Sequence, residues 1–180
     1  MPPRIHVDIP LSAAADFTLP PGASRHVQVL RLQPGDAVTL FDGHGGQWQA
    51  DVLAMGRKDV TARLLAHTAL ERELHTPVTL ALGMPANERM DSLVEKATEL
   101  GVAAIVPLVC ERSVLRLAGD RAERRMAHWQ AVAVAACEQC GRNRVPRIHA
   151  PLALRDWLAS APAAGLRLVL SLADGTQPLR

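Results

Sequence analysis

The sequence lacks the features of a membrane or exported protein. No uninterrupted apolar run approaches the roughly 20 residues that a membrane-spanning helix needs. The first ten residues contain Asp8 and several prolines where a signal peptide would have an apolar core. These absences favour a soluble, cytoplasmic protein that has no contact with a membrane.

Cysteine is also scarce, with three positions (Cys110, Cys137 and Cys140), an odd number that does not suggest a disulfide framework. Cys137 and Cys140 form a C-x-x-C pair, but there is no second pair and no nearby ligand histidine, which argues against zinc. A redox pair would lie at the N-terminus of a helix, where the dipole lowers the thiol pKa, whereas this pair ends a predicted helix. We therefore expect structural cysteines and no metal site.

Common nucleotide-binding and nucleophile motifs are missing as well. Residues 83–87, which follow a predicted strand, have no G-x-G-x-x-G pattern, and this argues against a Rossmann-type site there. The glycine-rich residues 42–46 lie between two predicted strands, whereas a phosphate loop opens a helix, so they predict a hairpin turn. No P-loop, nucleophile elbow or paired-carboxylate signature is present. Four isolated histidines are predicted to lie on the surface or in loops: His44, His67, His75 and His149.

The charge of the chain is concentrated in one segment. The net charge is only +2 at pH 7, so the overall charge of the chain does not indicate a nucleic acid partner. Residues 112–147 contain eight arginines and three acidic residues, so this segment carries +5 and the rest of the chain carries −3. Such a concentration is typical of a surface that meets a phosphate backbone, although a solvated helix face gives the same pattern.

The first part of the chain predicts a small β-rich domain. With 180 residues, 48% of them hydrophobic, the chain can form one medium domain or two small ones. Strands are predicted at residues 4–7, 37–41, 47–53 and 59–65, with one short helix that Ser24 caps and that runs through Leu30. Adjacent hairpins of this kind are typical of a small barrel or meander. The polar residues that follow place the boundary after residue 72.

Residues 73–180 change to the pattern of an α/β domain. A strand at 78–82, a helix capped by Asn87 and a strand at 102–109 form a βαβ unit of a parallel sheet. A long helix from Asp120, a helix near 152–160 and a strand at 166–171 follow. The predicted fold class is therefore α+β with two domains. Because the last strand has no covering helix, we expect either further chain beyond Arg180 or packing that the pattern does not show.

Residues 120–146 predict one long helix that ends in an arginine-rich loop. Asp120 and Glu123 form a capping box, and Gly141 stands where a left-handed C-cap residue belongs. Residues 131–137 contain no polar side chain, so this part is expected to be covered on most sides. Glu138 and Arg142 are four positions apart and are predicted to pair. Two interpretations stay open, a core helix with a solvated end and a site for chemistry or for a phosphate.

Five stretches of the sequence resemble one known family. They are H-V-Q-V-L-R-L-Q-P-G-D (26–36), F-D-G-H-G-G (41–46), E-K-A-T-E-L-G-V (95–102), E-R-S-V (111–114) and E-Q-C-G-R-N-R-V-P (138–146). Together, and in this order, they resemble the RsmE family of 16S ribosomal RNA uridine-N3 methyltransferases, of the SPOUT, or trefoil-knot, class. The resemblance covers essentially the whole chain. It implies a PUA-like RNA-binding β-barrel at residues 1–72 and part of a SPOUT methyltransferase domain at residues 73–180.

The resemblance also implies a cofactor and partners. Members of the family use S-adenosylmethionine and act as homodimers on the 16S RNA of the small ribosomal subunit. Their G-P-E-G-G loop and L-G-x-R-I-L-R-x-E-T-A segment build the knot, the cofactor pocket and much of the dimer interface, and neither is among these 180 residues. We therefore expect the cofactor-binding residues to lie beyond Arg180.

The chemistry that the resemblance implies is methyl transfer to uridine N3, a poor nucleophile until it loses its proton. Glu138 and Arg142 are the candidate catalytic helpers, and the group that removes the proton is not identified. The alternative function is a non-catalytic RNA-binding or ribosome-assembly module that keeps the barrel and the basic segment. Five arginines occupy family motif positions suited to clamping phosphates or orienting a base: Arg4, Arg31, Arg112, Arg142 and Arg144.

Overall fold

The strands of the chain form two separate sheets. The computed structural model describes residues 2–12, 16–111, 113, 117, 119–160, 165–171 and 173–177. One sheet ends at Thr68 and the other begins at Thr79, so the connection between them lies in residues 69–78. The predicted α+β organisation is confirmed, while the boundary at residue 72 stays a prediction.

The N-terminal sheet has five strands in the order β1-β3-β4-β5-β2. Strand β1 pairs with β3 in parallel, and all other neighbours are antiparallel. The alternating apolar side chains of the long strands meet helix α1 in one core. The elements are β1 (Arg4–His6), β2 (Asp16–Thr18), α1 (Pro21–Val29), β3 (Ala37–Phe41), β4 (Gln47–Met55) and β5 (Val60–Thr68).

Helix α1 begins earlier than predicted. Pro20 is the N-cap residue and Pro21 opens the first turn, where the missing N–H of proline costs no hydrogen bond. The prediction that Ser24 caps the helix is therefore wrong. Ser24 is buried inside α1, where its hydroxyl donates to the Leu19 carbonyl (2.9 Å) and accepts from the Val60 N–H (3.2 Å). Ser24 thus joins the helix to the start of β5.

The second domain is built around strand β7, which pairs in parallel with β6, β8 and β9. Strands β8 and β9 have only two residues each, too few for an apolar pattern to predict. The elements are β6 (Thr79–Gly83), α2 (Asn87–Glu99), β7 (Ala104–Val109), α3 (Gly119–Cys140), β8 (Arg147–Ile148), β9 (Leu152–Ala153) and α4 (Leu154–Ser160).

Helices α2 and α3 pack together over a fully buried tryptophan. Trp129 of α3 lies among the apolar side chains of α2, such as Met90 and Val94. Its indole N–H donates to Asp91 (3.1 Å), which also lies 2.9 Å from Nε2 of His128. The prediction that Asn87 caps α2 is wrong, because Ala86 is the N-cap residue and Asn87 is already helical.

Of two expectations about apolar segments, one is confirmed and one is wrong. Residues 131–137 are covered on most sides, because five of the seven are buried or partly buried and only Ala131 and Ala135, on one face of the helix, are exposed. No strand forms at residues 166–171, where Val169 and Leu170 are 88% and 90% exposed. An apolar run predicts burial, but a strand also needs a hydrogen-bonding neighbour, and this segment pairs with none of the described strands.

The predicted end of the long helix is confirmed. Helix α3 stops at Cys140, and Gly141 has φ +88°, a left-handed conformation that glycine adopts without steric cost. The Gly141 N–H donates to the Cys137 carbonyl (3.0 Å). The chain thereby leaves the helix axis at Gly141, and residues 142–146 lie against the barrel.

Candidate functional site

The loop after α3 joins the two domains. The Gly45 N–H donates to the Asn143 carbonyl (3.1 Å), and the Val145 N–H donates to the Gly43 carbonyl (3.2 Å). Between these bonds His44 and Arg144 form an antiparallel bridge. The glycine-rich turn at residues 42–46 therefore binds the loop through its backbone. The predicted hairpin turn is confirmed, and the structure adds this second role.

Arg142 is buried at the centre of this junction, with only 3% of its surface exposed. Its Nη1 donates to the Thr98 carbonyl at the end of α2 (2.7 Å), while Nε and Nη2 form a two-point ion pair with the Glu73 carboxylate. A bidentate pair of this kind fixes both position and orientation. The predicted pairing of Glu138 with Arg142 is therefore wrong, and Arg142 holds the α/β domain together with the interdomain connection.

Glu138 turns instead towards the barrel. Its Oε1 accepts a hydrogen bond from the His6 N–H (2.9 Å) and lies 3.2 Å from Nδ1 of His26. Burial lowers the pKa of His6 below its usual value, against the opposing effect of Glu138, so the His6 ring is neutral at pH 7. Glu138 thus links the last turn of α3 to strand β1 and helix α1.

Arg4 connects the first strand to the same loop. Its Nη1 donates to the Gln47 side chain (2.6 Å), and Nη2 donates to the Asn143 side chain (2.7 Å) and to the Arg142 carbonyl (3.0 Å). The guanidinium lies 4.8 Å from the centre of the Phe41 ring, within the range of a cation–π contact. Its buried Nε has no hydrogen-bond partner among the described residues.

A second arginine, Arg72, lies near Arg4 and carries the same charge. Burial, and then the positive charge of Arg72, lower the pKa of Arg4 below its usual value. Arg72 donates from Nη1 to the Gly141 carbonyl (2.6 Å) at the C-terminal end of α3. Both arginines line one groove of about 670 Å³. Like charges brought together in a groove favour the binding of an anion.

Two cavities flank the last turn of α3. The groove just described runs between this turn and the outer face of β3 and β4, where Gln47, Gln49 and Gln139 add amide groups to the two arginines. A smaller cavity of about 300 Å³ lies on the other flank, between α3 and α1, and Glu138 and His26 line it. We call them the arginine groove and the histidine cavity.

The remaining predicted arginines differ in their surroundings. Arg144 is half exposed and pairs with Glu71 (3.2 Å), whose other oxygen accepts from the Gly46 N–H (2.9 Å). Arg31 is exposed in the turn after α1 and has φ +57°. Arg112 lies outside the described residues. The junction therefore gathers Arg4, Arg142 and Arg144, and no described contact joins Arg31 to it.

The histidines were interpreted too simply from the sequence. His67 is not isolated, because its ring packs 4.9 Å from the Trp48 ring. His6 and His26, which reach Glu138 from positions more than 100 residues away, were missed altogether. Arg72 and Glu73 were missed as well. Their contacts join residues that are 69 or more positions apart, and no spacing rule within one helix or strand could have found them.

The C-x-x-C pair has the surroundings of structural cysteines. Cys137 is buried, and its Sγ lies 3.6 Å from the Arg144 carbonyl. Burial raises the pKa of Cys137 to about 12, so almost no reactive thiolate forms at neutral pH. Cys110 and Cys140 are partly exposed.

We predict that iodoacetamide at pH 8 modifies Cys110 and Cys140 in the folded protein while Cys137 stays unmodified, because only its thiol is both buried and held in the neutral form. Peptide mass spectrometry over a time course measures the three rates. The control is the urea-unfolded protein, in which all three cysteines should react. Equal rates in the folded protein would contradict the prediction.

The described residues contain no group of three or more histidine, cysteine, aspartate or glutamate side chains that is arranged to hold a metal ion. In the same part of the chain, no helix combines the length and the apolar surface needed to cross a membrane.

Comparison with family models gives two matches. A model described as an RNA methyltransferase domain matches residues 72–180, and one described as an RNA methyltransferase PUA domain matches residues 19–65. Among curated proteins, the chain is 38% identical to the ribosomal RNA small subunit methyltransferase E of Synechocystis sp., over 80% of this chain and 46% of that protein. It is 30% identical to the protein of the same name from Bacillus subtilis, over 68% of this chain and 48% of that protein. The chain thus spans about half the length of these relatives.

Solved structures give the same result at the level of the fold. The chain superposes on Lpg2936 of Legionella pneumophila, solved with bound SAM, with a TM-score of 0.93, 31% identity and coverage of 98% of this chain and 73% of that one. It superposes on the ribosomal RNA small subunit methyltransferase E of Neisseria gonorrhoeae, bound to S-adenosyl methionine, with a TM-score of 0.86 and 36% identity, over 91% of this chain and 67% of that one.

Proposed function

The chain belongs to the ribosomal RNA small subunit methyltransferase E family, and from this premise we propose that its protein transfers a methyl group from S-adenosylmethionine to N3 of a uridine in 16S ribosomal RNA. The two-domain fold, a PUA-like barrel followed by an α/β domain, supports the proposal. The small ribosomal subunit as partner, a homodimer and a cytoplasmic location are parts of the same proposal, and they rest on family membership.

S-adenosylmethionine supplies a methyl group that its sulfonium already activates. Neither of the two cavities described above lies where an α/β domain is expected to bind a cofactor. At the carboxyl edge of the parallel sheet, where α/β proteins bind ligands, Gly83 of β6 packs directly against the Cys110 side chain. Both cavities described above lie at the junction with the barrel. We therefore assign RNA binding and RNA positioning, and no step of methyl transfer, to the described residues.

The arginine groove is the feature that supports RNA binding most directly. Arg4 and Arg72 supply two positive charges that have no carboxylate partner among the described residues, against one carboxylate, Asp51, in the lining of the groove. Phosphate contacts fix the register of a nucleic acid. The glutamines of the groove, Gln47, Gln49 and Gln139, offer amide donors and acceptors that suit the edges of unpaired bases. A groove with both kinds of group fits a single strand of RNA better than it fits an isolated anion.

The buried contacts of the loop hold this groove in shape. Arg4 is fixed by Gln47, by Asn143 and by the Arg142 carbonyl. Asn143 in turn donates to the Leu70 carbonyl (2.6 Å), which belongs to the connection between the domains. The groove walls therefore come from both domains, and RNA in the groove would be presented to the α/β domain in one orientation.

We predict that Arg72→Gln reduces RNA affinity and lowers the slope of log affinity against log salt by roughly 0.7 to 1, because one phosphate contact is lost. Fluorescence anisotropy with a labelled fragment of small-subunit ribosomal RNA measures both quantities between low and moderate salt. Arg57→Gln is the matched control, since Arg57 is exposed in the turn between β4 and β5 and is not in the groove. An unchanged slope for Arg72→Gln would contradict the groove assignment.

The test of the proposed function is methyl transfer itself. The protein is incubated with S-adenosylmethionine and small-subunit ribosomal RNA that lacks the modification, and nucleosides are analysed by mass spectrometry. Formation of 3-methyluridine is the expected result. Salt-dependent RNA binding without any methylated nucleoside would favour the non-catalytic RNA-binding alternative. Methylation of another atom or base would overturn the assignment to uridine N3.

A further inference from the structure

An aromatic pair lies near the end of the β3–β4 hairpin, outside the arginine groove. The rings of Trp48 and His67 lie opposite each other on β4 and β5, with their centres 4.9 Å apart and their planes tilted by 46°. Gln47 and Gln49, which line the groove, point to the other face of β4, because successive side chains of a strand alternate between its two faces. The aromatic pair therefore forms a surface of its own.

The two rings of the pair differ in exposure. Trp48 is partly buried and packs against the core of the barrel, whereas His67 is exposed. Neither nitrogen of the His67 ring has a hydrogen bond among the described residues, where the ring contact with Trp48 is its only interaction. The indole thus supports the imidazole from the core side, while the outer surface of the imidazole meets solvent.

Two adjacent glycines bring a cation beside this pair. Gly45 and Gly46 have φ of +116° and +67°, in the region that favours glycine. A Cβ atom at Gly45 would lie 2.6 Å from Nη2 of Arg144, and one at Gly46 would collide with Nε2 of His67. The absence of both Cβ atoms therefore lets a guanidinium and an imidazole approach the same turn closely.

Arg144 offers hydrogen-bond donors to a ligand. Its Nε donates to Glu71, while Nη1 and Nη2 have no hydrogen bond among the described residues. Glu71 offsets part of the positive charge, but both of its oxygens are engaged, one by Arg144 and the other by the Gly46 N–H. At the tip of the same turn, the exposed His44 ring lies 3.7 Å from Asp42. A half-exposed guanidinium with two unengaged nitrogens is suited to phosphate oxygens.

We propose that Trp48, His67 and Arg144 form a stacking platform for one unpaired base of the RNA substrate, an inference that rests on the proposed function. The base lies on the exposed surface of the His67 ring, and the Arg144 guanidinium contacts a phosphate next to that base. An aromatic face beside a cation is the combination with which many proteins hold single-stranded RNA. Because every base has a π face, the platform selects for a single strand and not for a sequence.

The platform and the arginine groove complement each other. Gln47 belongs to the groove and Trp48, the next residue of β4, belongs to the platform, so one strand of RNA that passes the end of the hairpin can contact both. A continuous duplex cannot, because its bases are stacked on one another. Uridine N3 lies on the pairing edge of its base, so the proposed reaction needs an unpaired substrate. The platform therefore holds the RNA open beside the α/β domain.

The test compares wild-type protein with His67→Ala on two labelled probes, single-stranded octauridylate and an RNA duplex of eight G·C-rich base pairs. Fluorescence anisotropy is measured without methyl donor. His67→Ala should weaken binding of the single strand about tenfold, as expected for one base–aromatic stack, and should leave duplex affinity unchanged. Wild-type affinity of His67→Ala for octauridylate, or an equal loss on both probes, would overturn the proposal.

Two further variants separate stacking from the packing of the barrel. His67→Phe keeps an aromatic face, so its affinity for octauridylate should be close to that of wild type. His67→Leu covers Trp48 with an apolar side chain but has no ring, so it should show the full loss. The matched control is His75→Ala, which removes an exposed histidine of the interdomain connection and should bind both probes as wild type does. Equal affinities of His67→Phe and His67→Leu would reject stacking.

The salt dependence of the same measurements tests the cation. Arg144→Gln should lower the slope of log affinity against log salt by roughly 0.7 for octauridylate, whereas His67→Ala should leave the slope unchanged, because stacking releases no counterions. An unchanged slope for Arg144→Gln would contradict its place in the platform.

The outcome for the platform is independent of catalysis. If His67→Ala loses affinity for the single strand but the wild-type protein forms no 3-methyluridine, the platform stands and the proposed function is refuted. If the wild-type protein forms 3-methyluridine and His67→Ala keeps full affinity, the function stands and the platform is rejected.

Discussion

Replacing Arg142 with alanine should lower the free energy of unfolding by about 3–5 kcal/mol, the usual cost of removing one partner of a buried ion pair. The substitution leaves the Glu73 carboxylate, 20% exposed, without its bidentate partner, and it leaves the Thr98 carbonyl without a donor. Both groups lie where the α/β domain meets the interdomain connection. Urea denaturation followed by circular dichroism measures the loss.

Arg144→Ala is the matched control, two positions further along the same loop. Its ion pair with Glu71 is about half exposed on each side, so the expected loss is at most about 1 kcal/mol.

The two variants also distinguish a structural role of Arg142 from a direct role in RNA binding. Under conditions where Arg142→Ala is folded, its salt slope for RNA should equal that of wild type, because a buried guanidinium releases no counterions. Similar stability of the two variants would contradict the assigned role of Arg142.

Trp129→Ala should be as damaging as the loss of Arg142, with a decrease of about 3–5 kcal/mol in the free energy of unfolding. The side chain is fully buried between α2 and α3, and its removal leaves a cavity beside Met90 and Val94. It also takes away the N–H donor of Asp91, which keeps only its contact with His128. Thermal and urea denaturation both measure the effect.

The matched control for this variant is Trp157→Ala in α4, a helix that has no buried residue. Its expected loss is a fraction of that for Trp129→Ala, because far less apolar surface leaves the interior. Trp129→Phe separates the contribution of apolar burial from that of the hydrogen bond to Asp91, because phenylalanine keeps most of the apolar volume and lacks the N–H donor. If Trp129→Ala and Trp157→Ala cost the same, the packing of α2 against α3 cannot be the main source of stability in the second domain.

The regular elements of the fold were predictable because their patterns are local. The apolar face of α2, the apolar strand β7 and the glycine at the end of α3 each depend on residues within one or two turns of one another. Whether residues 166–171 form a strand was not predictable in the same way, and the structure has no strand there. The composition of that segment suits a strand, but its burial depends on a neighbouring strand, and the sequence of the segment contains no information about one.

The site was predictable only in outline. The basic loop after α3 was correctly placed at the end of the helix, but the pairing of Glu138 with Arg142 was wrong for a definite reason. The i, i+4 rule assumes a continuous helix, whereas Gly141 turns the chain between the two residues. Their true partners, His26 for Glu138 and Glu73 for Arg142, are 112 and 69 positions away. The first contact arises when α3 docks on the barrel, and the second arises when the interdomain connection packs against the loop after α3.

The bond between Arg4 and Asn143 has a consequence for how the protein is made. The two residues are 139 positions apart, so at a synthesis rate of about 5–20 residues per second roughly 7 to 28 seconds separate their appearance. The strands of the barrel are complete well before α3 exists. During translation the nascent barrel therefore carries Arg4 without its final partners, and the two domains can close on each other only when the loop at residues 141–147 has left the ribosome.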